Sequence, residues 1–273
     1  MAEYLDLMTR LAREAGAAIL TVYGDADFGI EMKADDSPLT RADLAAHQII
    51  VEGLAAGAPE IPILSEESTG ISWAERSSWQ HYFLVDPLDG TKEFISRNGE
   101  FTVNIAYIEN GVPVAGVVYV PVNSVMYRAD QSIGLATVTR DGEEVPSRSR
   151  QLQTAERLTI VASRRHGGEA LEACVAVLNQ HFLAVNTTNM GSSLKLCLIA
   201  EGKADLYPRL APTSEWDTAA AQAIVEAAGG RVVDRDLNTL RYTTKADILN
   251  PHFYVLGDSE FDWLSILSEV QLP

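Results

Sequence analysis

The chain has 273 residues, of which 47% are apolar, and a formal net charge of −17. That composition suffices to bury one large core or two moderate ones, which excludes a disordered chain. The acidity excludes recognition of nucleic acid through its phosphates, which needs a basic face, but it leaves small phosphorylated ligands open wherever bound divalent cations reverse the local field.

Residues 4 to 23 set Tyr4, Met8, Leu11, Ala15, Ile19 and Val22 at intervals of three and four, the spacing of an amphipathic helix. Glu3, Asp6, Arg10, Arg13 and Glu14 interrupt the apolar positions. The segment therefore lacks the apolar stretch of a signal peptide, and a cytoplasmic protein is expected. A second helix is predicted to start at Thr40, whose hydroxyl can cap "RADLAAHQIIVEGLAA". The period then changes. "PILSEES" and "HYFLVDP" are short apolar runs stopped by polar residues. In "FTVNIAYIENGVPVAGVVYV", Asn110-Gly111 joins two strands as a hairpin. The longest apolar run, "AGVVYVPV" at 115–122, is far short of the roughly 20 residues a membrane-spanning helix needs, so no integral membrane segment is predicted.

Residues 130 to 155 read as polar and irregular and mark the expected boundary between an α+β half (1–150) and an α/β half (151–273). In the second half, strand-like "LTIVAS" precedes helical "GGEALEACVAVLNQHF". "SSLKLCLIAEG" and "TAAAQAIVEAAGG" read as further helices, the latter closed by Gly229-Gly230. Cys174 and Cys197, the only thiols, are unclustered and fit buried free cysteines rather than a disulfide or zinc site.

The chemistry concentrates in "DPLDGTKEF", residues 86–94. Pro87 fixes one backbone angle and Gly90 permits angles other residues resist, so the turn is stiff and sharply bent. It can be an Asp-Pro turn with a capping aspartate. It can equally aim Asp86, Asp89 and the Leu88 carbonyl at one cation, with the Gly90 and Thr91 amides facing an anion, a set of hard ligands that suits magnesium. Glu66 reads as a solvated loop acid or a ligand, and Asp217 as a helix cap or a ligand. Four converging acids would repel one another by roughly 4 kcal/mol per pair at about 4 Å and an effective dielectric of about 20, so convergence would demand cations.

"LSEES", "DPLDGT" and "WDTAAAQAIVEAAGG", in that order, resemble the signature of the inositol monophosphatase and fructose-1,6-bisphosphatase superfamily of lithium-sensitive, magnesium-dependent phosphatases, and the resemblance runs through nearly the whole chain. It implies a layered αβαβα sandwich with the site between two halves. Carried over by position, it implies that Glu66, Asp86, the Leu88 carbonyl and Thr91 bind a first Mg2+, and that Asp86, Asp89 and Asp217 bind a second. A third, weaker ion near Asp43 and Glu66 is allowed. Asp43, Thr91 and Glu66 are then the catalytic set, with Thr91 and Asp43 orienting the attacking water.

The flanks resemble the adenosine 3′,5′-bisphosphate nucleotidase branch. Lys92, together with Ser192, Ser193, Lys195 and Arg209 of "GSSLKLCLIAEGKADLYPR" and His166 of "SRRH", takes the positions of substrate contacts. Arg164 and Arg165 flank His166, and whether this segment touches substrate stays open. A second, unhydrolysed phosphate needs fixed cationic partners, whereas Lys195 and Arg209 taken singly would read as surface charges. The implied partner is a phosphorylated nucleotide, acted on by a monomer or a homodimer. An inositol or sugar phosphatase of the same superfamily is the alternative, and a silent metal- or nucleotide-binding regulator is the alternative from another class. Peripheral attachment to the inner membrane face also stays open, with the acidity disfavouring an electrostatic form.

Overall fold

The fold is described from a computed structural model, covering residues 2–33, 37–153, 157–162 and 168–271. Helix α1 (Ala2–Tyr23) buries Met8, Leu11, Ala15 and Ile19 along one stripe. A two-stranded ribbon, β1 (Glu31–Met32) with β2 (Pro38–Leu39), leads to α2 (Arg41–Gly57). Thr40 caps α2 as expected, in a β conformation with its side chain accepting from the Ala42 amide. Both helices lie on one face of a seven-stranded sheet.

That sheet is a meander. Strand β3 (Ile63–Ser65) is followed by a short helix α3 (Trp73–Arg76) and then by β4 (His81–Asp89), parallel to β3. A five-residue helix, α4 (Thr91–Ile95), separates β4 from β5 (Thr102–Glu109), and β6 (Val112–Val120), β7 (Val125–Asp130), β8 (Leu135–Arg140) and β9 (Glu143–Pro146) complete an antiparallel run in sequence order. The Asn110-Gly111 hairpin joins β5 to β6 as predicted. The stretch read as irregular after residue 130 instead contains β8 and β9, turning at Asp141-Gly142. Its last strand lies at the sheet edge with all four residues exposed, so it carries no apolar alternation to detect.

Strand alternation splits the sheet's two faces. Phe83, Val85, Val103, Ile105 and Tyr107 join the α1/α2 core, while Tyr82, Leu84, Ala106 and Ile108 point the other way. The opposite face is covered by α6 (Leu194–Ala200) and α7 (Glu215–Ala227). A Cβ on Gly116 of β6 would meet the Ala220 carbonyl oxygen of α7 at 2.2 Å, so only a bare glycine lets helix and sheet lie this close.

Helices α6 and α7 are in turn covered by a second sheet. Its strands are β10 (Arg157–Ala162), β11 (Ala184–Asn189), β12 (Leu206–Arg209), β13 (Arg231–Asp234) and β14 (Phe253–Leu256), in the order β11-β10-β12-β14-β13. Beyond it lie α5 (Glu169–His181) and α8 (Trp263–Leu267), which bury Cys174, Leu178, Trp263 and Ile266 against Leu158, Ile160 and Tyr254. The five layers are helix, sheet, helix, sheet, helix, the sandwich that the resemblance implied. Cys174 and Cys197 are free and buried. Gly229 and Gly230 close α7 through bonds to the Glu226 and Val225 carbonyls. Among the described residues no helix is long and apolar enough to cross a membrane.

Candidate active site

Three acids meet where β4 runs out beside the start of α7. Asp86, Asp89 and Asp217 each offer a carboxylate oxygen, and these atoms lie within 4.8 Å of one another. Strand β4 does not stop at Asp86, as the apolar run suggested; it continues to Asp89 across a bulge. Asp86 pairs with Asn104 and Asp89 with Thr102, so three steps on β4 match two on β5. The extra residue includes Pro87, which has no amide for the ladder, and the bulge turns both aspartates toward one side. Gly90 follows at φ +95°, and a Cβ there would meet the Glu100 carbonyl at 3.2 Å and Ser192 at 3.3 Å.

Asp217 and Asp43 arrive by one device. Each is the third residue of its helix and closes a capping box. Asp217 Oδ2 accepts from the Ser214 amide at 3.0 Å, and Asp43 Oδ2 accepts from the Thr40 amide at 2.8 Å. The second oxygen of each remains for other work. In Asp43 it accepts from Thr91 Oγ1 at 3.1 Å, with the Leu88 carbonyl 3.4 Å from the same hydroxyl. Glu66, just past β3, is near enough for its charge to act on Asp86 but lies outside the three-acid cluster. It also pairs with Lys33 at 2.7 Å, and Lys33 reaches Glu67 at 2.6 Å.

The electrostatics follow from burial and crowding. Asp86 is driven far above the carboxylate range by burial and by the charges of Glu66, Asp89 and Asp217. Asp217 is pushed up to about 8 by burial, then by Asp89 and Glu66. Burial raises Glu66 despite Lys33, and burial also raises Asp43 against the hydrogen bonds from Thr40. Burial opposes the charge on Lys33, but Glu66 and Glu67 outweigh it and hold the ammonium above its usual range. Clustered hard oxygens with their charge unbalanced form a donor set that fits a small divalent cation.

Beside the acids opens a cavity of about 240 Å³, lined by Asp89, Gly90, Lys92, Glu93 and Asp217 from one side and by Ser192, Ser193, Lys195 and Arg209 from the other, with Tyr207, Thr213 and Phe253. Of the sequence-predicted residues, Asp86, Asp89 and Asp217 cluster, and Gly90, Lys92, Ser192, Ser193, Lys195 and Arg209 line the adjoining cavity with Asp89 and Asp217. Thr91 bonds to Asp43, and Glu66 falls outside the three-acid cluster, paired with Lys33. His166, with Arg164 and Arg165, lies outside the described residues. Lys195 is buried, donates to the Ser192 carbonyl at 2.6 Å and sits 5.6 Å from the Tyr207 ring centre. Burial lowers its pKa, with Asp89 acting against the shift. Arg209 donates to the Pro212 carbonyl at 2.7 Å, while its buried Nε has no partner among the described residues.

Sequence reasoning missed two contributors. Asn104, on β5, donates to Asp89 and to Ser193; a lone amide inside the apolar run "FTVNIAYI" was the available signal, since a buried amide must find partners. Lys33 carried no signal, being an ordinary lysine in a polar stretch.

A five-layer αβαβα sandwich whose acid cluster adjoins a cavity walled by Lys92, Lys195 and Arg209 has the parts of a metal-assisted hydrolase of phosphate esters. The inositol monophosphatase family model matches residues 1–260. The 3′(2′),5′-bisphosphate nucleotidase CysQ of Salmonella typhimurium (strain LT2) is 51% identical over 253 residues, which make up 92% of this chain and 98% of that protein. The CysQ of Escherichia coli (strain K12), of the same name, is 48% identical over 253 residues, with the same coverage. Among solved structures, CysQ from Bacteroides thetaiotaomicron, a bacterial member of the inositol monophosphatase family, superposes with a TM-score of 0.79 at 42% identity, covering 94% of this chain and 98% of that one. Inositol monophosphatase from Anabaena has a TM-score of 0.74 at 26% identity, covering 98% of this chain and 96% of its own. The chain belongs to the inositol monophosphatase family and is a phosphatase.

Proposed function

We propose that the protein is a Mg2+-dependent nucleotidase that removes the 3′-phosphate of adenosine 3′,5′-bisphosphate, giving AMP and inorganic phosphate. We place this reaction in the cytoplasm, clearing a by-product of sulfate assimilation. The observation that carries the reading is the pair of buried cations, Lys195 and Arg209, on the cavity wall shared with Asp89 and Asp217. A monophosphate held by metal and backbone amides needs neither. A second phosphate that stays on the ribose needs fixed cations, and the buried Arg209 Nε, without a partner among the described residues, offers a donor. The names of the relatives at 48% and 51% identity support the same substrate.

Asp86, Asp89 and Asp217, with Glu66 and the Leu88 carbonyl, would hold the ions, two per site with room in the acid set for a third. Bound Mg2+ supplies positive charge to the phosphate oxygens and makes water a better acid. The protein's own part in the proton traffic falls to two residues. Thr91 Oγ1, which donates to Asp43 Oδ1, presents its lone pairs to the attacking water and can pass a proton on to that carboxylate. The water oxygen bonds to phosphorus as the bond to the ribose 3′-oxygen breaks, and that oxygen takes a proton from solvent water, which balances the one passed toward Asp43. Gly90 and Thr91 turn their amides to the phosphate, at a bend no side chain caps.

The test is phosphate release from adenosine 3′,5′-bisphosphate against inositol 1-phosphate at equal Mg2+, with the nucleotide product identified. The reading predicts AMP and a strong preference for the nucleotide. A preference for inositol 1-phosphate would reassign the substrate, and no release from either would leave a silent binding protein.

A further inference from the structure

We infer that Ser193 and Asn104 are positioning residues that fix Asp89 and lock it to the start of α7, and that Ser193 is not a contact for substrate phosphate. This rests on the proposed metal role of Asp89 and concerns how that role is prepared.

The hydrogen bonds to Asp89 are one-sided. Its Oδ2 receives the Ser193 amide at 2.5 Å, the Ser193 hydroxyl at 2.6 Å, Asn104 Nδ2 at 3.3 Å and Thr102 Oγ1 at 3.4 Å. All four fall on one oxygen, which pins the carboxylate plane and, among the described hydrogen bonds, leaves Oδ1 unengaged. Asn104 Nδ2 also donates to Ser193 Oγ at 2.8 Å. The Asn104 amide turned the other way would set its oxygen against the Asp89 carboxylate, so its orientation is determined even though Oδ1 then remains buried without a partner.

Counting protons decides what Ser193 can do. A hydroxyl has one proton to give. That of Ser193 has two acceptors at hand, Asp89 Oδ2 at 2.6 Å and the Asp217 carbonyl at 2.7 Å. Ionised phosphate oxygens accept, so Ser193 could donate to one only by withdrawing its single proton from both of these acceptors. Ser193 instead joins β4 to α7, its amide donating to Asp89 Oδ2 and its hydroxyl free to donate to the Asp217 carbonyl. Ser193 and Asn104 are both nearly inaccessible, at 2% and 1% exposure, as suits residues that act through a neighbour.

The experiment titrates metal-free protein with Mn2+ alone, reading free ion by electron paramagnetic resonance, for wild type, Ser193→Ala, Asn104→Ala, the double variant and Asp89→Asn. Ser193→Ala and Asn104→Ala are each expected to weaken binding about 10- to 100-fold, as loss of outer ligand support does. The double variant should lose little more than the worse single one, because the residues act as one unit. At saturating metal, kcat should fall while KM for the nucleotide stays within about threefold. If Ser193→Ala does not fold, as judged by melting of the metal-free protein, Asn104→Ala and Asn104→Ser carry the same test. Metal affinity within about twofold of wild type in the single variants, with Asp89→Asn defective, overturns the positioning role and leaves the metal site standing. Unchanged binding in Asp89→Asn, or none in wild type, removes the metal reading itself and this inference with it.

Discussion

Replacing Asp217 by Asn should stabilise the metal-free protein while abolishing its activity. Without metal the charge on Asp217 is under-compensated: burial, then Asp89 and Glu66, push its pKa up to about 8 and outweigh Arg209, which draws it down. An unfolded Asp titrates near 3.9. Between these values the folded state keeps a proton that the unfolded state has lost, so fewer protons are bound on unfolding and stability falls as pH rises. The penalty is absent below about pH 4, grows through the window from about 4 to 8 and is complete above it, reaching at most about 5–6 kcal/mol for a displacement of about 4 pH units. A direct estimate agrees in scale: two unit charges at the 4.8 Å limit of the cluster repel by about 3.5 kcal/mol at an effective dielectric of about 20.

Asn keeps an oxygen for the Ser214 amide and turns an NH2 group, a donor, toward the remaining acids. It still buries a polar group and forfeits the favourable charge at the N-terminus of α7, so a net gain of about 2–4 kcal/mol is expected at pH 8.5. For a chain of this size that is a rise in Tm of about 3–7 °C. The assay is thermal unfolding of both proteins in EDTA and in Mg2+, at pH 5 and pH 8.5. In EDTA the wild type should melt lower at pH 8.5 than at pH 5, and Asp217→Asn should lose much of that slope. In Mg2+ the wild type should gain more stability than the variant, which loses a ligand of the second ion but keeps the Glu66, Asp86 and Leu88 set of the first, because binding to the folded state alone raises Tm. A wild type with no decline in EDTA, or a variant that melts below it at pH 8.5, would refute the reasoning.

Three further outcomes follow from the same geometry. Exhaustive chelation should remove all phosphate release, restored by Mg2+; residual turnover in EDTA contradicts the metal requirement. Asp43→Asn keeps an oxygen for the Thr40 cap but places an amide against Thr91 Oγ1, so kcat should fall by about 10²- to 10⁴-fold with Tm little changed. A variant with normal kcat would show that Thr91 works without Asp43. Lys195→Ala should lower kcat/KM for adenosine 3′,5′-bisphosphate by about 10- to 100-fold, the loss of one charged hydrogen bond, and leave inositol 1-phosphate turnover almost unchanged. Equal losses on both substrates would detach Lys195 from the second phosphate.

The legible parts of this fold are those set by neighbours in sequence. The stripe of α1, the Thr40 cap and the Asn110-Gly111 hairpin each depend on side chains within one or two turns, and each stands where the pattern put it. Strand β9 was invisible because an exposed edge strand buries nothing and so leaves no alternation. The bulge in β4 was half visible: Pro87 announced a bend, but only pairing with β5 decides that the strand resumes at Asp89. Contacts such as Asn104 to Ser193, 89 positions apart, depend on how α6 seats on the sheet, which no local pattern encodes.

Asp43 and Asp217 show why the site was harder to read than the fold. Each follows a Thr or Ser by three positions at a helix start, and a capping box accounts for that spacing completely. Considered alone, either acid needs no further explanation. In the structure the cap occupies one carboxylate oxygen of each and thereby fixes the direction of the other, toward Thr91 for Asp43 and toward Asp86 and Asp89 for Asp217. The local role is thus the means by which a distant acid is aimed, so the cap and the ligand readings of Asp217 do not compete. Its stability cost in the absence of metal is then the measurable trace of an orientation that helix capping enforces.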